Sequence, residues 1–274
     1  MTVLVVGARG SIGSRLAARL RADGRTVRAT VRDELDITAP DGFEDVLKDV
    51  DSVFLYATRG DTTPFLAAAR SAGVRYAVLL SSPASYEAAE YRGPIGRIHR
   101  LNEERLAASG IEHTVLYPSW LATNARRDWS AAIRAGAPVE LAYPATQISP
   151  IHPGDVADVA AELLTHPAHR GRTQIVTGPV SMRLDEAVAV VGDTLSRAIE
   201  VRPIGREEAV ARREPWLSEE VLASLLDSAA AGVGHPAPLT NAVERITGRP
   251  ARPLREWVAE NREAFAGQSV GKEK

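Results

Sequence analysis

The chain has 274 residues, a formal charge of −2 at pH 7 and no cysteine, and its pI is near 6.3. This composition offers no basic surface for nucleic acid, no disulfide framework and no cysteine-based metal site. No apolar run reaches the roughly 18–20 residues that span a bilayer, and the chain opens on an apolar segment without room for a signal peptide. We therefore expect a cytoplasmic protein of one large or two joined domains, with neither a membrane nor a nucleic-acid partner.

The first predicted element is a buried strand at residues 3–6, followed by three glycines and an amphipathic helix at residues 15–22. Gly7 permits a sharp turn, and Gly10 lets backbone N–H groups approach phosphates. Gly13 lets the helix pack close to its strand. The N-terminus of the helix adds partial positive charge, so this order of strand, turn and helix predicts a dinucleotide-binding site.

A second strand is predicted at residues 26–31, and Arg32 follows at its carboxyl end. A carboxylate at this position binds the ribose 2′-OH of NAD, whereas an arginine suits the 2′-phosphate of NADP. Asp33 comes next and leaves the assignment open, since Arg32 is alternatively only a surface charge. We expect NADP(H) as the cofactor, with NAD(H) the weaker ligand.

The segment after the second strand is too short for the usual crossover. Only two residues separate Arg32 from the apolar segment 35–38, whereas a crossover to another parallel strand needs about ten or more residues. The sequence therefore predicts a reduced sheet edge, with Asp36 and Ile37 lying directly against the adenine end of the site.

Strands and helices then alternate in a way that is typical of a doubly wound, Rossmann-type parallel α/β sheet. From about residue 139 the pattern changes to short strands, one helix and one further strand, and beyond residue 179 it is mainly helical. We predict an NAD(P)-binding domain at 1–178, with 139–152 contributing to a lid at 179–266 that closes over the strand ends, and a frayed tail at 267–274. The predicted strands are 52–57, 74–80, 114–117, 139–143, 148–152 and 174–177, and the predicted helices are 43–48, 63–72, 95–109, 156–164, 184–197, 206–213, 218–231, 240–247 and 253–265.

Together these segments resemble the NmrA-like, NAD(P)-binding branch of the atypical short-chain dehydrogenase/reductases. The resemblance covers the chain to about residue 265, and segment 35–38 is also similar to the corresponding stretch of dehydrorhamnose reductases. The matching stretches are residues 7–13, 78–82, 99–103, 108–110, 114–118, Asn124, 151–157, 163–164, 177–179 and 243–250.

The resemblance implies NAD(P)(H) bound across the strand ends by four groups of residues. The resemblance also implies that Ser82 lies beside the nicotinamide. The implied cofactor contacts are Gly7, Arg9, Gly10, Ser11, Ile12 and Gly13 in the turn; Arg32, Asp36 and Ile37 after the second strand; Ala57 and Thr58 after the third; and Ser81, Pro118, Ser119 and Trp120 near the nicotinamide.

The chain departs from hydride-transferring relatives at two points. The Tyr-x-x-x-Lys pair of the wider superfamily is absent, because Ile95 stands at the tyrosine position and His99 at the lysine position. Tyr117 also stands where the family usually has an arginine before the proline. Both departures concern catalysis and leave cofactor binding intact.

Three residues are candidates for catalysis. His99 has a side chain that titrates near neutrality, so it either serves the site as a proton donor or is a packed or surface histidine. Ser82 follows a buried strand, where its hydroxyl either orients a substrate oxygen or caps the next turn. Tyr86, like Tyr91 in the same loop, either replaces the missing proton donor or covers apolar surface. No group has metal-ligand spacing.

These observations favour an NADPH-dependent oxidoreductase, a monomer or homodimer, that reduces a small carbonyl or quinone-like substrate. The alternatives are a non-catalytic NADP(H)-sensing regulator, which the missing tyrosine favours, and an isomerase or cyclase that retains the dinucleotide.

Overall fold

The structure, a computed structural model, describes residues 1–86, 93–171 and 173–266. The predicted tail at 267–274 and the candidate Tyr91 lie outside these residues. The strands in chain order are β1 (Thr2–Val6), β2 (Thr26–Thr30), β3 (Ser52–Tyr56), β4 (Tyr76–Leu80), β5 (Glu112–Pro118), β6 (Val139–Leu141), β7 (Gln147–Ile148), β8 (Thr173–Val176), β9 (Met182–Arg183) and β10 (Val201–Pro203).

Helices flank and connect these strands, and short 3-10 helices occur at Pro83–Tyr86, Pro167–His169 and Arg262–Phe265. The predicted helix at 253–265 is thus two elements. The α-helices are α1 (Gly13–Ala22), α2 (Glu44–Leu47), α3 (Thr63–Ser71), α4 (Pro94–Ala108), α5 (Thr123–Ala135), α6 (Pro153–Thr165), α7 (Leu184–Leu195), α8 (Arg206–Ala211), α9 (Glu219–Ala231), α10 (Ala242–Thr247) and α11 (Leu254–Glu260).

The central sheet has the strand order β2-β1-β3-β4-β5-β8, and every neighbouring pair is parallel. Strands β1, β3 and β4 are almost entirely buried, as continuous runs of Val, Leu and Phe dictate for a sheet covered on both faces. The predicted Rossmann-type sheet is confirmed. Reversal of the strand order at β1 and β3 places a ligand crevice at their carboxyl ends.

The reduced sheet edge is also confirmed. Strand β2 is the edge strand, and the chain between Thr30 and Glu44 contains neither a strand nor a helix. Leu35 and Ile37 are instead buried in the hydrophobic core, together with Phe43. Their burial holds this irregular segment against the sheet without a crossover helix.

The chain forms two compact units. The first, which we call the sheet unit, comprises Met1–Pro118, Pro153–Val176 and Thr240–Pro250. The second comprises Ser119–His152, Thr177–Leu239 and the described chain from Ala251 onward.

This division includes 139–152 in the second unit but also moves α5 into that unit and α10 into the sheet unit, because apolar side chains on these two helices decide it. Trp129 and Ile133 of α5 are buried in the core of the second unit, together with α7 and α11. Val243 and Ile246 of α10 are buried in the sheet unit, where α10 packs on α6 and β8.

The second unit is mainly helical and contains two small sheets. Strand β6 pairs in parallel with β10, and β7 pairs antiparallel with β9. The predicted strand at 148–152 is shorter than expected: Ile148 ends β7, and Ile151 makes only an isolated bridge with Leu121. Strands β9 and β10 and helix α5 lie where the sequence predicted no element.

Candidate active site

The turn after β1 needs its glycines for steric reasons. Gly7 has a φ of +80°, and its N–H and that of Ala8 donate to the Thr30 carbonyl at 3.0 and 2.9 Å. A Cβ on Gly13 would lie 2.4 Å from the Gly7 carbonyl oxygen, and one on Gly10 would lie 3.2 Å from the same atom. A side chain on Gly13 would therefore force α1 away from the turn, whereas one on Gly10 would only crowd it.

Two further observations fit this turn to a pyrophosphate and its ribose. No side chain caps the N-terminus of α1, where Ile12 is the N-cap residue, so the positive end of the helix faces the turn without a side-chain acceptor. The hydroxyl of Thr30 has no hydrogen-bond partner among the described residues although Thr30 is only 6% exposed. A buried hydroxyl without a partner is costly and is relieved by a ligand or water.

Two carboxylates near the end of β2, Asp33 and Asp36, each have a described partner. Arg9 in the glycine turn lies 3.2 Å from Asp33, with both side chains exposed. Asp36 accepts hydrogen bonds from the hydroxyl and N–H of Thr38 at 2.7 and 2.9 Å. These bonds, and then the positive charge of Arg32, hold the pKa of Asp36 below its usual range. Arg32 is exposed and free to turn toward a phosphate.

The structure separates Asp36 from Ile37. Asp36 is exposed at the end of the site, whereas the side chain of Ile37 is buried among apolar core residues. Any cofactor contact of Ile37 is therefore made by its backbone.

The loop after β3 is held by a buried amide that the sequence analysis did not single out. The side chain of Asn102 on α4 donates to the carbonyls of Thr58 and Ile98, each at 2.8 Å. The N–H of Ala57 donates to the Leu80 carbonyl at 3.1 Å. Ala57 and Thr58 are thus fixed at the carboxyl end of the sheet. A polar residue on the buried face of a predicted helix was the signal that identifies Asn102.

A buried polar cluster lies at the end of β4. Ser81 is 4% exposed, and its hydroxyl donates to Glu103 Oε1 at 2.5 Å and lies 3.2 Å from His99 Nδ1. Glu103 is 6% exposed, and its second oxygen lies 3.7 Å from the Arg100 guanidinium. We call Ser81, His99, Glu103 and Tyr117 the strand-end cluster.

Burial sets the protonation of this cluster. Burial lowers the pKa of His99, and the negative charge of Glu103 only partly opposes it. Burial and then Glu103 raise the pKa of Tyr117 far above its usual value, so the phenol stays neutral. Tyr117 therefore does not supply the positive charge that an arginine would at this position.

The ring of Tyr86 packs against the strand-end cluster. Its ring centroid is 4.6 Å from that of Tyr117, and its side chain is 54% exposed. The half-buried Ser82 has a local role: its hydroxyl accepts from the N–H of Ala84 at 3.3 Å, and its carbonyl accepts from Ser85. These bonds are those of a serine that opens a turn.

Residues 118–120, at the end of β5 and just beyond it, divide between the units. Pro118 ends β5 in the sheet unit. Ser119 and Trp120 belong to the second unit, where the Ser119 hydroxyl donates to the Ser149 carbonyl at 2.5 Å. Trp120 stacks on Trp129 with ring centroids 5.5 Å apart. Its described contacts are those of a packing residue.

The structure thus brings His99 and Ser81 together, adds Glu103, and places Tyr86 against the same cluster. The sequence analysis missed the role of Glu103. The signal was present, because His99 and Glu103 are four residues apart on α4 and therefore share one face of the helix. Across the part of the chain that the structure describes, no group of acidic, histidine or cysteine side chains is arranged to hold a metal. No helix within those same ranges is both long and apolar enough to cross a bilayer.

Comparison with known proteins places this chain among NAD(P)H-binding proteins. Residues 7–167 match the family model described as NAD(P)H-binding. The chain is 33% identical to a (4-alkanoyl-5-oxo-2,5-dihydrofuran-3-yl)methyl phosphate reductase of Streptomyces griseus, over 96% of this chain and 99% of that protein. It is 27% identical to an NAD(P)H azoreductase of Xenophilus azovorans, with the same coverage of both chains.

Solved structures share the fold over almost the whole chain. An NADPH-dependent quinone oxidoreductase from Escherichia coli, complexed with NADPH, has a TM-score of 0.75 at 20% identity, covering 95% of this chain and 99% of that one. A triphenylmethane reductase from Citrobacter sp., complexed with NADP(H), has a TM-score of 0.73 at 17% identity, with the same coverage.

Proposed function

The chain belongs to the NAD(P)H-binding family, in the NmrA-like branch of the atypical short-chain dehydrogenase/reductases, and is an NAD(P)H-dependent oxidoreductase; from that premise we propose that it reduces a small conjugated carbonyl or quinone-like substrate, preferring NADPH. The observation that supports this most directly is the strand-end cluster. It holds a titratable imidazole, His99, near the carboxyl end of β4, and an open α/β sheet binds its ligand at the carboxyl ends of its strands.

The names of the relatives support one class of hydride acceptor. The Streptomyces griseus reductase is named for a dihydrofuranone that carries an alkanoyl group, and the Xenophilus azovorans protein for an azo group. Both groups present a conjugated double bond that can accept a hydride, as does a quinone. We propose that this chain accepts substrates with the same electronic character.

The glycines of the turn after β1 would hold the pyrophosphate, and Arg32 would bind the 2′-phosphate. Ala57 and Thr58, held by Asn102, line the site further along the sheet. Bound there, the reduced nicotinamide supplies a hydride.

The proton comes from the protein. We assign its delivery to the imidazolium form of His99: the bond between Nε2 and hydrogen breaks, and a bond between hydrogen and the substrate oxygen forms. The lowered pKa of His99 makes this imidazolium a ready donor, because burial disfavours its charge. The exposed phenol of Tyr86 is the second candidate donor.

The test is anaerobic oxidation of NADPH by the full chain with a panel of conjugated ketones, unsaturated lactones, quinones and azo dyes. We expect at least one acceptor to be reduced with consumption of one NADPH per two electrons. A protein that binds NADPH tightly and reduces no acceptor in the panel would contradict the reductase proposal. That outcome would favour a sensing role, which the absence of the Tyr-x-x-x-Lys pair otherwise supports.

A further inference from the structure

The strand-end cluster contains a hydroxyl with two partners and a single hydrogen. Ser81 Oγ lies 2.5 Å from Glu103 Oε1 and 3.2 Å from His99 Nδ1. A carboxylate accepts hydrogen bonds and donates none, so the one hydrogen of Ser81 is directed at Glu103. Only the lone pairs of Oγ then remain for His99. Nδ1 must therefore carry the hydrogen of the bond between His99 and Ser81.

From this geometry we propose that Ser81 and Glu103 are positioning residues that hold neutral His99 with its hydrogen on Nδ1, leaving Nε2 as the atom that takes and returns the proton of the reaction. The assignment of Nε2 to proton transfer rests on the proposed reductase function. The tautomer itself does not.

Each member of this chain of hydrogen bonds is held by the fold. Ser81 follows β4, and its N–H donates to the Leu116 carbonyl of β5 at 2.9 Å. Glu103 and His99 lie one turn apart on the same helix, α4. Ser81 and Glu103 are both buried, so exchange of these bonds for bonds to water is unfavourable.

The charged and titratable groups around the cluster are compatible with this polarity. Glu103 and Arg100 come from α4, Tyr117 from β5 and Tyr86 from the 3-10 helix. Tyr117 remains neutral because its pKa is raised. Arg100 lies beside the oxygen of Glu103 that Ser81 does not use, which leaves Oε1 free to accept.

The consequence concerns the direction of proton transfer. In the neutral state Nε2 carries a lone pair and accepts a proton from solvent to give the imidazolium. During reduction that proton leaves Nε2 for the substrate oxygen, and the lone pair returns to Nε2. His99 Nδ1 keeps its hydrogen throughout, so Ser81 and Glu103 do not change protonation.

The tautomer is measurable by long-range 1H–15N correlation on the full chain labelled with 15N-histidine, near pH 8 so that the imidazole is neutral. The His99 signals are identified by their loss in His99→Gln. In the wild type we expect a pyrrole-type Nδ1 and a pyridine-type Nε2. A wild-type spectrum with the hydrogen on Nε2 would overturn the proposal without any substitution.

Ser81→Ala removes the acceptor of the Nδ1 hydrogen. We expect the ratio of Nδ1–H to Nε2–H to fall by about tenfold or more, since a hydrogen bond of this kind shifts an equilibrium by that order. Ser71→Ala is the matched control, because Ser71 is an exposed serine at the end of α3, and it should leave the ratio unchanged. An unchanged ratio in Ser81→Ala would show that Ser81 does not select the tautomer.

These outcomes are distinguishable from failure of the reductase proposal. If no acceptor is reduced and the Nδ1–H tautomer is found, the positioning role of Ser81 and Glu103 stands and the proposed reaction falls. If an acceptor is reduced and the hydrogen is on Nε2, the reaction stands and the positioning role falls.

Discussion

The environment of His99 differs from that of a free side chain. It is a partly enclosed imidazole whose Nδ1 faces a serine and whose pKa burial lowers. A donor of this kind is charged below its pKa and neutral above it. The rate of reduction should therefore fall as pH rises through a value below about 6.5, the usual pKa of histidine.

We predict that His99→Gln lowers kcat by at least about tenfold, because a positioned general acid contributes on the order of 10²–10⁴ in rate. The affinity for NADPH should change much less, since glutamine retains a hydrogen-bonding side chain. Steady-state kinetics from pH 5 to 8 check both points, and the fall above the lowered pKa should disappear. His166→Gln, at an exposed histidine, is the control.

An unchanged kcat in His99→Gln would move the proton donor to another group. Tyr86 is then the first candidate, because its exposed phenol contacts Tyr117 in the same cluster. In that case Tyr86→Phe should carry the loss of rate.

Arg32 decides between the two dinucleotides. We predict that Arg32→Ala weakens NADPH binding by about one to two decades, because a charge-assisted bond to phosphate contributes about 1.5–3 kcal/mol. NADH binding should be little affected. Calorimetric titration with both cofactors measures the two changes, with Arg21→Ala, at an exposed arginine of α1, as the control. Equal losses for both cofactors would remove Arg32 from the 2′-phosphate.

At the scale of single residues, only part of the candidate site could be predicted from the sequence. The position of His99 and the glycines follow from local pattern and resemblance. The pairing of His99 with Ser81 and Glu103 depends on how α4 packs beside β4, and no local pattern specifies the rotation of a helix about its axis. The packing of Trp120 on Trp129 likewise depends on α5, a helix that the sequence analysis did not predict.

Among the elements, the turn from β1 to α1 is the most constrained. We predict that Gly13→Ala lowers cofactor affinity at least about tenfold and destabilises the fold by about 1–3 kcal/mol, since its Cβ would overlap the Gly7 carbonyl, 2.4 Å away. Fluorescence titration and urea unfolding measure the two effects.

Gly205→Ala is the control for this substitution. Gly205 has a φ of −74°, and a Cβ there would meet nothing within 4 Å. The unfolding free energy of the Gly205→Ala variant should change by less than about 0.5 kcal/mol. If Gly13→Ala behaved like Gly205→Ala, the close approach of α1 to the turn would not be required for binding.

The elements that could be predicted are those with a strong local signature. The buried strands of the sheet and most helices of more than one or two turns appear within a few residues of their predicted bounds. Strands β9 and β10 are two and three residues long and exist only through pairing with β7 and β6. Such strands have no period to recognise, because distant partners create them.

At the scale of the whole molecule, the chain passes between its two units several times. The sheet unit is completed by α10, far from the other sheet-unit segments in sequence, and the second unit is completed by α11. The prediction lets residues 139–152 contribute to the lid, but it does not include the return of α10, because the change in pattern near residue 178 does not show which core a later helix joins.

This arrangement makes α10 part of the sheet unit, which also contains the glycine turn. Val243 and Ile246 are buried, and α10 packs on α6 and β8. Arg249, which follows α10, lies 3.1 Å from Asp158 of α6, and Arg19 of α1 binds the same carboxylate at 3.1 Å. The helix that begins at the glycine turn is thus connected through one carboxylate to residues near the end of the chain.

We predict that Ile246→Ala lowers the free energy of unfolding by about 2–5 kcal/mol, the usual cost of truncating a buried isoleucine. Leu239→Ala, at a leucine that is 53% exposed, should cost about 0.5 kcal/mol or less.

Urea unfolding with and without NADPH tests whether α10 and the cofactor site unfold together. A ligand that binds only the native state stabilises the cooperative unit that contains its site. NADPH at equal saturation should therefore raise the unfolding free energy of Ile246→Ala by the same increment as in the wild type. An early transition in this variant that NADPH does not shift would instead mean that α10 unfolds independently of the sheet.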